Sequence, residues 1–257
     1  MKVSFHKYHG TGNDFILIDN RTLNLQASVE QIEQLCHRRF GIGSDGLILI
    51  ENTGGADYHM NFYNPDGSQS FCGNGSRCAL HFCRELGIIK EKAYFLAIDG
   101  VHEGSIHGLM TSIHLGDVTQ VKDYGDCYFV NTGSPHAVVM VKNIDDVDVL
   151  NEGQKLRHDD RFKPGGCNVN FVQFTENGLR SKVYERGVEN ETYSSGTGTT
   201  AQAICAYFHA SKIGQNVTVS TLGGELSVRF KARGEQKFTD IWLSGSVTHV
   251  YSGQVEL

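Results

Sequence analysis

The chain has 257 residues, of which 39% are hydrophobic and 20% charged, and its formal net charge is −6. These values are typical of a globular protein with a substantial core, and they exclude the basic surface that nucleic-acid binding requires. No apolar run approaches the roughly 20 residues that cross a bilayer, and the start of the chain turns polar too soon for a signal peptide. The composition therefore predicts a cytoplasmic protein that contacts neither nucleic acid nor membrane.

The cysteines do not form a disulfide or metal pattern. Their number is odd, the chain is too long to need a disulfide scaffold, and no spacing suits a zinc site. We interpret all except Cys72 as small buried side chains in a reducing compartment. The seven are Cys36, Cys72, Cys78, Cys83, Cys127, Cys167 and Cys205.

In chain order, many short strands and three helices are predicted. Alternating apolar residues between turn signals indicate the strands, which are Phe15–Asp19, Leu47–Glu51, Tyr58–Asn64, Ala93–Ile98, Met110–Leu115, Cys127–Val130, Ala137–Lys142, Val169–Phe174, Arg180–Glu185, Val217–Thr221, Leu226–Phe230 and Ile241–Leu243. Apolar residues at helical spacing indicate the helices, which are Val29–Phe40, Gly75–Leu86 and Thr199–Lys212. The first has a capping box of Ser28 and Gln31 and a stop at Gly41, and the second is followed by Gly87.

The second and third helices are preceded by similar motifs, Cys72-Gly73-Asn74-Gly75 and Ser195-Gly196-Thr197-Gly198. The motifs lie about half the chain apart, and each leads into an amphipathic helix within a strand-rich half. This pattern is typical of a duplicated unit. We therefore expect an α+β fold of two similar domains, divided near residues 116–126, each with strands wrapped around one central helix.

The two motifs are predicted to carry the chemistry. The first turn of a helix exposes free N–H groups and the positive end of the helix dipole, which together bind anions. A cysteine just before such a turn is expected to form a thiolate readily, so Cys72 is a candidate base. Two helix starts that share one carboxylate would place a base on each side of the adjacent carbon, an arrangement that inverts a stereocentre. Such chemistry needs no cofactor, and the sequence has no strong motif for pyridoxal phosphate or a metal.

Several sequence blocks resemble the diaminopimelate epimerase family. The resemblance covers nearly the whole chain, and the joint occurrence of the blocks in one order is highly specific. The blocks are Lys7–Phe15, Phe62–Ser68, Phe71–Cys78, Gly133–His136, Cys167–Phe171, Tyr184–Gly187 and Ser195–Gly198.

The resemblance implies two pseudo-symmetric, barrel-like domains, residues 1–117 with 246–257 and residues 118–245, the last strand returning to the first domain. It implies cofactor-independent epimerisation of LL-diaminopimelate to meso-diaminopimelate, in lysine and peptidoglycan precursor synthesis, by a homodimer. Cys72 would be one base and position 195 the other. Gly73, Asn74, Gly196 and Thr197 would hold the reacting carboxylate. Glu185 would meet the ammonium group, and Asn13, Asn64, Asn168 and Arg186 would contact the rest of the substrate, Arg186 through its fork on the distal carboxylate.

Other interpretations of these residues remain open. Glu185 and Arg186 could be a surface ion pair, and both could reach one ligand only if the chain bends, for which Gly187 is suited. Asn13 and Asn64 could simply form turns, Asn64 above all because Pro65-Asp66-Gly67 follows it. His9 and His136 are expected to be structural, with His136 able to support the site.

Three positions depart from the family pattern. Gly46 stands where some members carry glutamine, and Ser134 where some carry asparagine. Ser195 replaces the second catalytic cysteine, and a serine hydroxyl is far less acidic than a thiol, so two-base exchange should be inactivated or impaired. The serine could be an engineered replacement, which the otherwise intact substrate set favours, or natural with residual or altered activity.

Two alternatives to the epimerase follow from Ser195. The chain could be a one-base lyase or isomerase acting on a related amino acid, which would turn over with Ser195 in place. It could also be a silent amino-acid binding protein that kept the cleft and lost the chemistry.

Overall fold

The computed structural model describes residues 1–257, which form two compact units. Unit 1 comprises Met1–Ile113 and Gly245–Leu257, and unit 2 comprises His114–Ser244. No helix in either unit has the length and apolar character needed to span a bilayer.

The structure contains seventeen strands and four α-helices. In chain order they are β1 (Lys2–Gly10), β2 (Asn13–Asp19), α1 (Val29–Cys36), β3 (Leu47–Glu51), β4 (Tyr58–Tyr63), α2 (Gly73–Glu85), β5 (Lys92–Ala97), β6 (Gly100–His107), β7 (Met110–Leu115), β8 (Val121–Asp123), β9 (Tyr128–Asn131), β10 (Pro135–Met140), α3 (Val149–Arg157), β11 (Asn168–Thr175), β12 (Gly178–Glu185), β13 (Asn190–Thr192), α4 (Gly196–His209), β14 (Asn216–Thr221), β15 (Gly224–Arg233), β16 (Lys237–Ser246) and β17 (Thr248–Glu256). Short 3₁₀ turns occur at Ile144–Asp146, Asp160–Phe162 and Ser211–Ile213.

In unit 1, β1 lies between β2 and β17 and is antiparallel to both. Strand β2 then pairs in parallel with β3, β3 antiparallel with β4, and β4 in parallel with β5. Strands β5, β6 and β7 form an antiparallel meander. The last strand of the chain therefore completes the sheet of the first unit.

Unit 2 repeats this sequence of pairings. Strand β9 is antiparallel to β10, β10 parallel to β11, β11 antiparallel to β12, and β12 parallel to β14, which is antiparallel to β15. Helices α3 and α4 occupy the places in this order that α1 and α2 occupy in unit 1. The two halves are thus versions of one supersecondary unit, as the paired motifs predicted.

One helix forms the centre of each unit. Helix α2 packs against β1, β2, β3, β4 and β6, and α4 against β9, β10, β11, β14 and β15. The first eight residues of α2 are all buried. A glycine in a strand allows one of these contacts, because a Cβ at Gly104 of β6 would lie 2.3 Å from a methyl group of Leu80 in α2.

The helix ends differ from those expected. Helix α1 stops at Cys36, four residues before Phe40, although the capping box of Ser28 and Gln31 is present. Helices α2 and α4 begin at Gly73 and Gly196, so the Gly-x-Gly segments are their first turns.

Helix α3 was not predicted, and its sequence explains why. It buries only Val149 and Gly153, too few apolar positions to show helical spacing. Gly153 is needed because a Cβ there would lie 2.5 Å from Cβ of Tyr184 in β12. Strands β1, β6, β8 and β13 also lie outside the predicted set. Strand β1 alternates between buried and exposed residues over its first half, and its second half overlaps the Lys7–Phe15 block.

Candidate active site

Cys72 caps the N-terminus of α2. Its backbone is extended, with φ −129° and ψ 109°, and its sulfur accepts the N–H of Gly75 at 3.4 Å. Its carbonyl accepts the N–H of Ser76 at 2.8 Å. The side chain is only partly buried, so the sulfur lies at the positive end of the helix dipole with access to a ligand.

Ser195 caps α4 with the same geometry. Its φ is −129° and its ψ 120°, its Oγ accepts the N–H of Gly198 at 3.3 Å, and its carbonyl accepts the N–H of Thr199 at 2.8 Å. Both first turns therefore present a capping side chain that can carry a labile proton.

The glycine three residues after each cap leaves room for the capping atom. A Cβ at Gly75 would lie 3.5 Å from Sγ of Cys72, and one at Gly198 would lie 3.0 Å from Oγ of Ser195. Close packing against the cap thus explains the glycine at 198, whereas a Cβ at Gly75 would make only an ordinary contact with the Cys72 sulfur.

Two amides lie beside the Cys72 sulfur. Asn74 Nδ2 donates to Oδ1 of Asn13 at 3.1 Å, and the same oxygen lies 3.9 Å from Sγ of Cys72. Asn13 Nδ2 in turn donates to Asp45 at 2.7 Å. The structure therefore brings together Cys72, Gly73, Asn74 and Asn13 of the predicted set.

A polar cluster lies at the start of α4. The Thr197 hydroxyl is 3.0 Å from Ser134 Oγ and 3.0 Å from His136 Nε2, and these two atoms are 2.9 Å apart. Asn168 Nδ2 donates to Ser134 Oγ at 3.3 Å, and Asn168 Oδ1 accepts the N–H of Arg186 at 2.8 Å. Ser134 thus joins Thr197 to Asn168, and Asn168 joins the backbone of Arg186 to the cluster.

His136 is fully buried and electrically neutral. Burial, reinforced by the charge of Arg186, lowers its pKa to about 3. Asn170 Nδ2 donates to its Nδ1 at 3.2 Å, which places the ring proton on Nε2, toward Thr197 and Ser134. Gln202 of α4 donates to Asn170 at 2.9 Å, so the chain of hydrogen bonds reaches from the helix interior to Thr197.

Asn64 and the pair Glu185 and Arg186 are further predicted site residues. Asn64 donates across the Pro65–Gly67 turn to Ser68 and Ser70, at 3.1–3.2 Å, as a turn-forming asparagine does. Glu185 ends β12 half-buried and Arg186 follows it exposed, while Gly187 has φ +94° and provides the bend that the sequence suggested.

The other six cysteines are buried and unsuited to catalysis. Burial raises the pKa of each thiol, to about 11 for Cys167 and about 12 for Cys127, and likewise for Cys36, Cys78, Cys83 and Cys205. No group of three or more His, Cys, Asp or Glu side chains is arranged to hold a metal ion.

The sequence profile of the diaminopimelate epimerase family matches residues 5–104 and 128–250. The chain belongs to this family. A diaminopimelate epimerase of Flavobacterium psychrophilum is 44% identical over 97% of this chain and 98% of its own, and one of Chlorobaculum tepidum is 40% identical over 96% and 99%.

Solved structures of low sequence identity share the fold. A PhzF-family phenazine biosynthesis protein of Bacillus anthracis has a TM-score of 0.80 at 15% identity, with both chains fully covered. A hydroxyproline epimerase of Agrobacterium vitis has a TM-score of 0.69 at 14% identity, covering 100% of this chain and 93% of its own. The predicted α+β fold class is thereby confirmed.

Two departures from the diaminopimelate epimerase pattern have local structural reasons. A Cβ at Gly46 would lie 2.4 Å from the ring of Phe62, so a glutamine there would require that ring to move. Ser134 is part of the polar cluster, since its Oγ forms hydrogen bonds with Thr197, His136 and Asn168.

Sequence reasoning assigned no role to three buried polar residues near the caps, Arg77, Asn170 and Gln202. Each lies within a block or helix that was recognised. Arg77 has a signal in the sequence, because it is the charged residue among the small residues that begin α2.

Proposed function

We propose that this protein interconverts LL- and meso-diaminopimelate by two-base chemistry without a cofactor, and that Ser195 impairs this reaction. The supporting observation is that both units carry the same helix N-cap geometry, with a thiol at one cap and a hydroxyl at the other. Family membership supplies the substrate.

In the proposed reaction, the Cys72 thiolate takes the proton from the substrate Cα and becomes a thiol. The electron pair left on carbon delocalises into the adjacent carboxylate. A proton from the group at position 195 then reaches the opposite face of the carbon, and solvent restores the starting protonation states. The N–H groups of the two first turns, at Gly73, Asn74, Gly196 and Thr197, stabilise the charge on the carboxylate as it develops.

The remaining predicted residues would recognise the substrate. Glu185 would accept from its ammonium group, and Arg186 would bind the distal carboxylate through its two-pronged guanidinium. Asn13, Asn64 and Asn168 would donate to, or accept from, its polar groups. The proposal also includes a homodimer, which the family resemblance implies, located in the cytoplasm, which the composition predicts.

Ser195 changes the second half of the reaction. A hydroxyl is a much weaker acid than a thiol, so it gives up its proton to the carbon poorly and does not form an anion at neutral pH. A misplaced or missing general acid or base typically costs a factor of roughly 10² to 10⁴ in rate. Proton exchange on the Cys72 side needs no group at position 195 and should persist.

The test compares the protein with its Ser195→Cys variant on both diaminopimelate isomers in deuterium oxide, following stereoisomer ratio and Cα deuterium together. We expect the variant to epimerise at least 100-fold faster than the parent, in line with the factor for a lost acid or base. The parent should incorporate deuterium with little inversion. Cys72→Ala in the parent, which leaves no thiol at either cap, is the control and should abolish both signals.

The outcomes separate the alternatives. If Ser195→Cys fails to epimerise either isomer, the substrate assignment is wrong. Turnover by the parent with release of a leaving group from β-substituted amino acids would indicate a one-base lyase, and tight binding without any deuterium incorporation would indicate a silent binding protein.

A further inference from the structure

Arg77 is the largest fully buried side chain in the protein. It lies in α2, just over one turn from the Cys72 cap, and no carboxylate forms an ion pair with it. Arginine is almost never fully buried unless it is paired, since an isolated charge is costly to remove from water. Its position therefore calls for a functional explanation.

The Arg77 guanidinium is held by the N-terminal signature and by the active-site turn. Its Nη2 donates to Oδ1 of Asn74 at 2.8 Å and to Oγ1 of Thr11 at 3.3 Å. A Cβ at Gly10 would lie 3.0 Å from the same nitrogen, which explains a glycine there. Nε and Nη1 have no hydrogen-bond partner.

These contacts connect Arg77 to the Cys72 sulfur. Because Asn74 Oδ1 accepts from Arg77, Asn74 Nδ2 must point to Asn13, whose Oδ1 lies 3.9 Å from Sγ of Cys72. A flipped Asn74 amide would set its NH₂ group against the guanidinium, where no acceptor exists. Arg77 therefore fixes the orientation of Asn74, while Asp45 holds Asn13 so that its Oδ1 faces the Cys72 sulfur.

The charge of Arg77 is present at neutral pH. Burial lowers its pKa to about 10, and negative charge on Cys78 or Cys72 opposes that shift. Of these two thiols, Cys78 is fully buried with its pKa raised, whereas Cys72 is accessible. Negative charge on the accessible Cys72 sulfur is therefore what this buried cation would favour.

The second unit has no buried arginine at the position that corresponds to Arg77. The residue five positions after Ser195 is Thr200, whose hydroxyl donates to the carbonyl of Gly196 at 3.1 Å. The polar side chains near Thr197, namely His136, Asn170 and Gln202, are neutral. A buried positive charge therefore belongs to the Cys72 cap, whereas Arg186, whose charge acts on His136, is exposed.

We propose that Arg77 is a positioning residue for Cys72, which fixes the Asn74 amide that pairs with Asn13 beside the sulfur and supplies the buried positive charge that favours the thiolate. The inference rests on the proposed role of Cys72 as a base. It assigns the resting thiolate to the Cys72 side and leaves the group at position 195 neutral.

The test measures alkylation of Cys72 by iodoacetamide between pH 5 and pH 10 without substrate, quantified by peptide mass spectrometry. In Arg77→Met, which preserves side-chain bulk, we expect the pH midpoint to rise by about one unit or more, the scale of effect of a nearby opposite charge. The rate at pH 7 should fall about tenfold accordingly. Arg77→Lys keeps the charge and should keep the midpoint within about half a unit, well under that effect.

Controls separate this effect from unfolding. The six buried cysteines react only if the chain opens, so their alkylation in the same digests reports folding, and Arg77→Gln provides a second uncharged variant. Thr200→Val changes the matching position of α4 and should leave the Cys72 profile unchanged.

A folded Arg77→Met or Arg77→Gln protein with the parent midpoint would overturn the proposal, as would equal shifts in the Lys and Met variants. Because no substrate takes part, failure of the epimerase assay would not affect this result.

Discussion

Ser195 is well suited to its structural position. Serine is among the preferred N-cap residues, and its Oγ accepts the N–H of Gly198 as such caps do. Cys72 makes the corresponding bond through sulfur, a weaker acceptor. The serine thus favours the helix start while removing the acidity that proton transfer requires.

His136 illustrates how a residue can serve the site without meeting the substrate. Its neutral ring receives a hydrogen bond from Asn170 and directs Nε2 toward Thr197. The interpretation of this histidine as structural, with a supporting role, agrees with that placement.

The depressed pKa of His136 makes stability depend on pH. The unfolded state binds a proton below about pH 6.5, whereas the folded state resists protonation down to a pKa of about 3. Stability from this residue is therefore complete above pH 6.5 and is lost as the pH falls. We expect urea unfolding of the parent to lose about 1.4 kcal/mol per pH unit between pH 6 and pH 4, relative to His136→Gln.

The exposed His158 provides the matched control, and His158→Gln should keep the parent slope. A parent and a His136→Gln variant whose free energies of unfolding run parallel across this pH range would contradict the burial of a neutral imidazole.

At the scale of elements, the first turns of α2 and α4 have the same capping geometry but differ in the space around their glycines. A Cβ at Gly75 would meet the flexible end of Ile48 at 3.1 Å, and the Cys72 sulfur at 3.5 Å. A Cβ at Gly198 would lie 2.8 Å from Asn170 Oδ1 and 3.0 Å from Ser195 Oγ. The second start is therefore the more tightly packed.

Alanine substitutions should reveal this difference. Gly75→Ala gains up to about 1 kcal/mol in helix propensity, which offsets a small shift of Ile48, so its net effect should stay within about 1 kcal/mol. Gly198→Ala should lower the free energy of unfolding by about 1–3 kcal/mol, the usual cost of overpacking. Urea denaturation of both variants is the measurement, and equal losses would show that the two first turns are equally crowded.

At the scale of the whole molecule, the chain leaves unit 1 after Ile113 and returns to it at Gly245. The returning strand β17 pairs with β1 along nearly its full length, from Lys2 opposite Glu256 to His9 opposite Thr248. Phe5 of β1 lies over Gly253, where a Cβ would meet the ring at 2.8 Å. The two ends of the sequence thus stabilise one sheet.

Removal of Thr248–Leu257 should weaken unit 1 selectively. We expect the amides of β1 to lose protection in hydrogen–deuterium exchange, because β1 becomes an open sheet edge. Strands β14 and β15 of unit 2 pair with each other and serve as the internal control. Unchanged protection of β1 would show that β17 contributes little to the sheet.

The sequence by itself determined the features that depend on neighbouring residues. Strands β3 and β7 lie at their predicted bounds, and the capping box of α1 is present, because alternation and capping are read within a few positions. The paired Gly-x-Gly motifs indicated the duplication, and the ordered blocks indicated the family.

The tertiary structure alone decided the features whose partners are distant in sequence. Arg77 meets Thr11 from 66 positions away, His136 meets Thr197 from 61, and β1 pairs with β17 across almost the whole chain. Helix α3 exists because β11, β12 and β13 provide its packing surface, which its own apolar spacing does not reveal. Burial and hydrogen-bond partners are properties of the assembled core, so no local pattern could specify them.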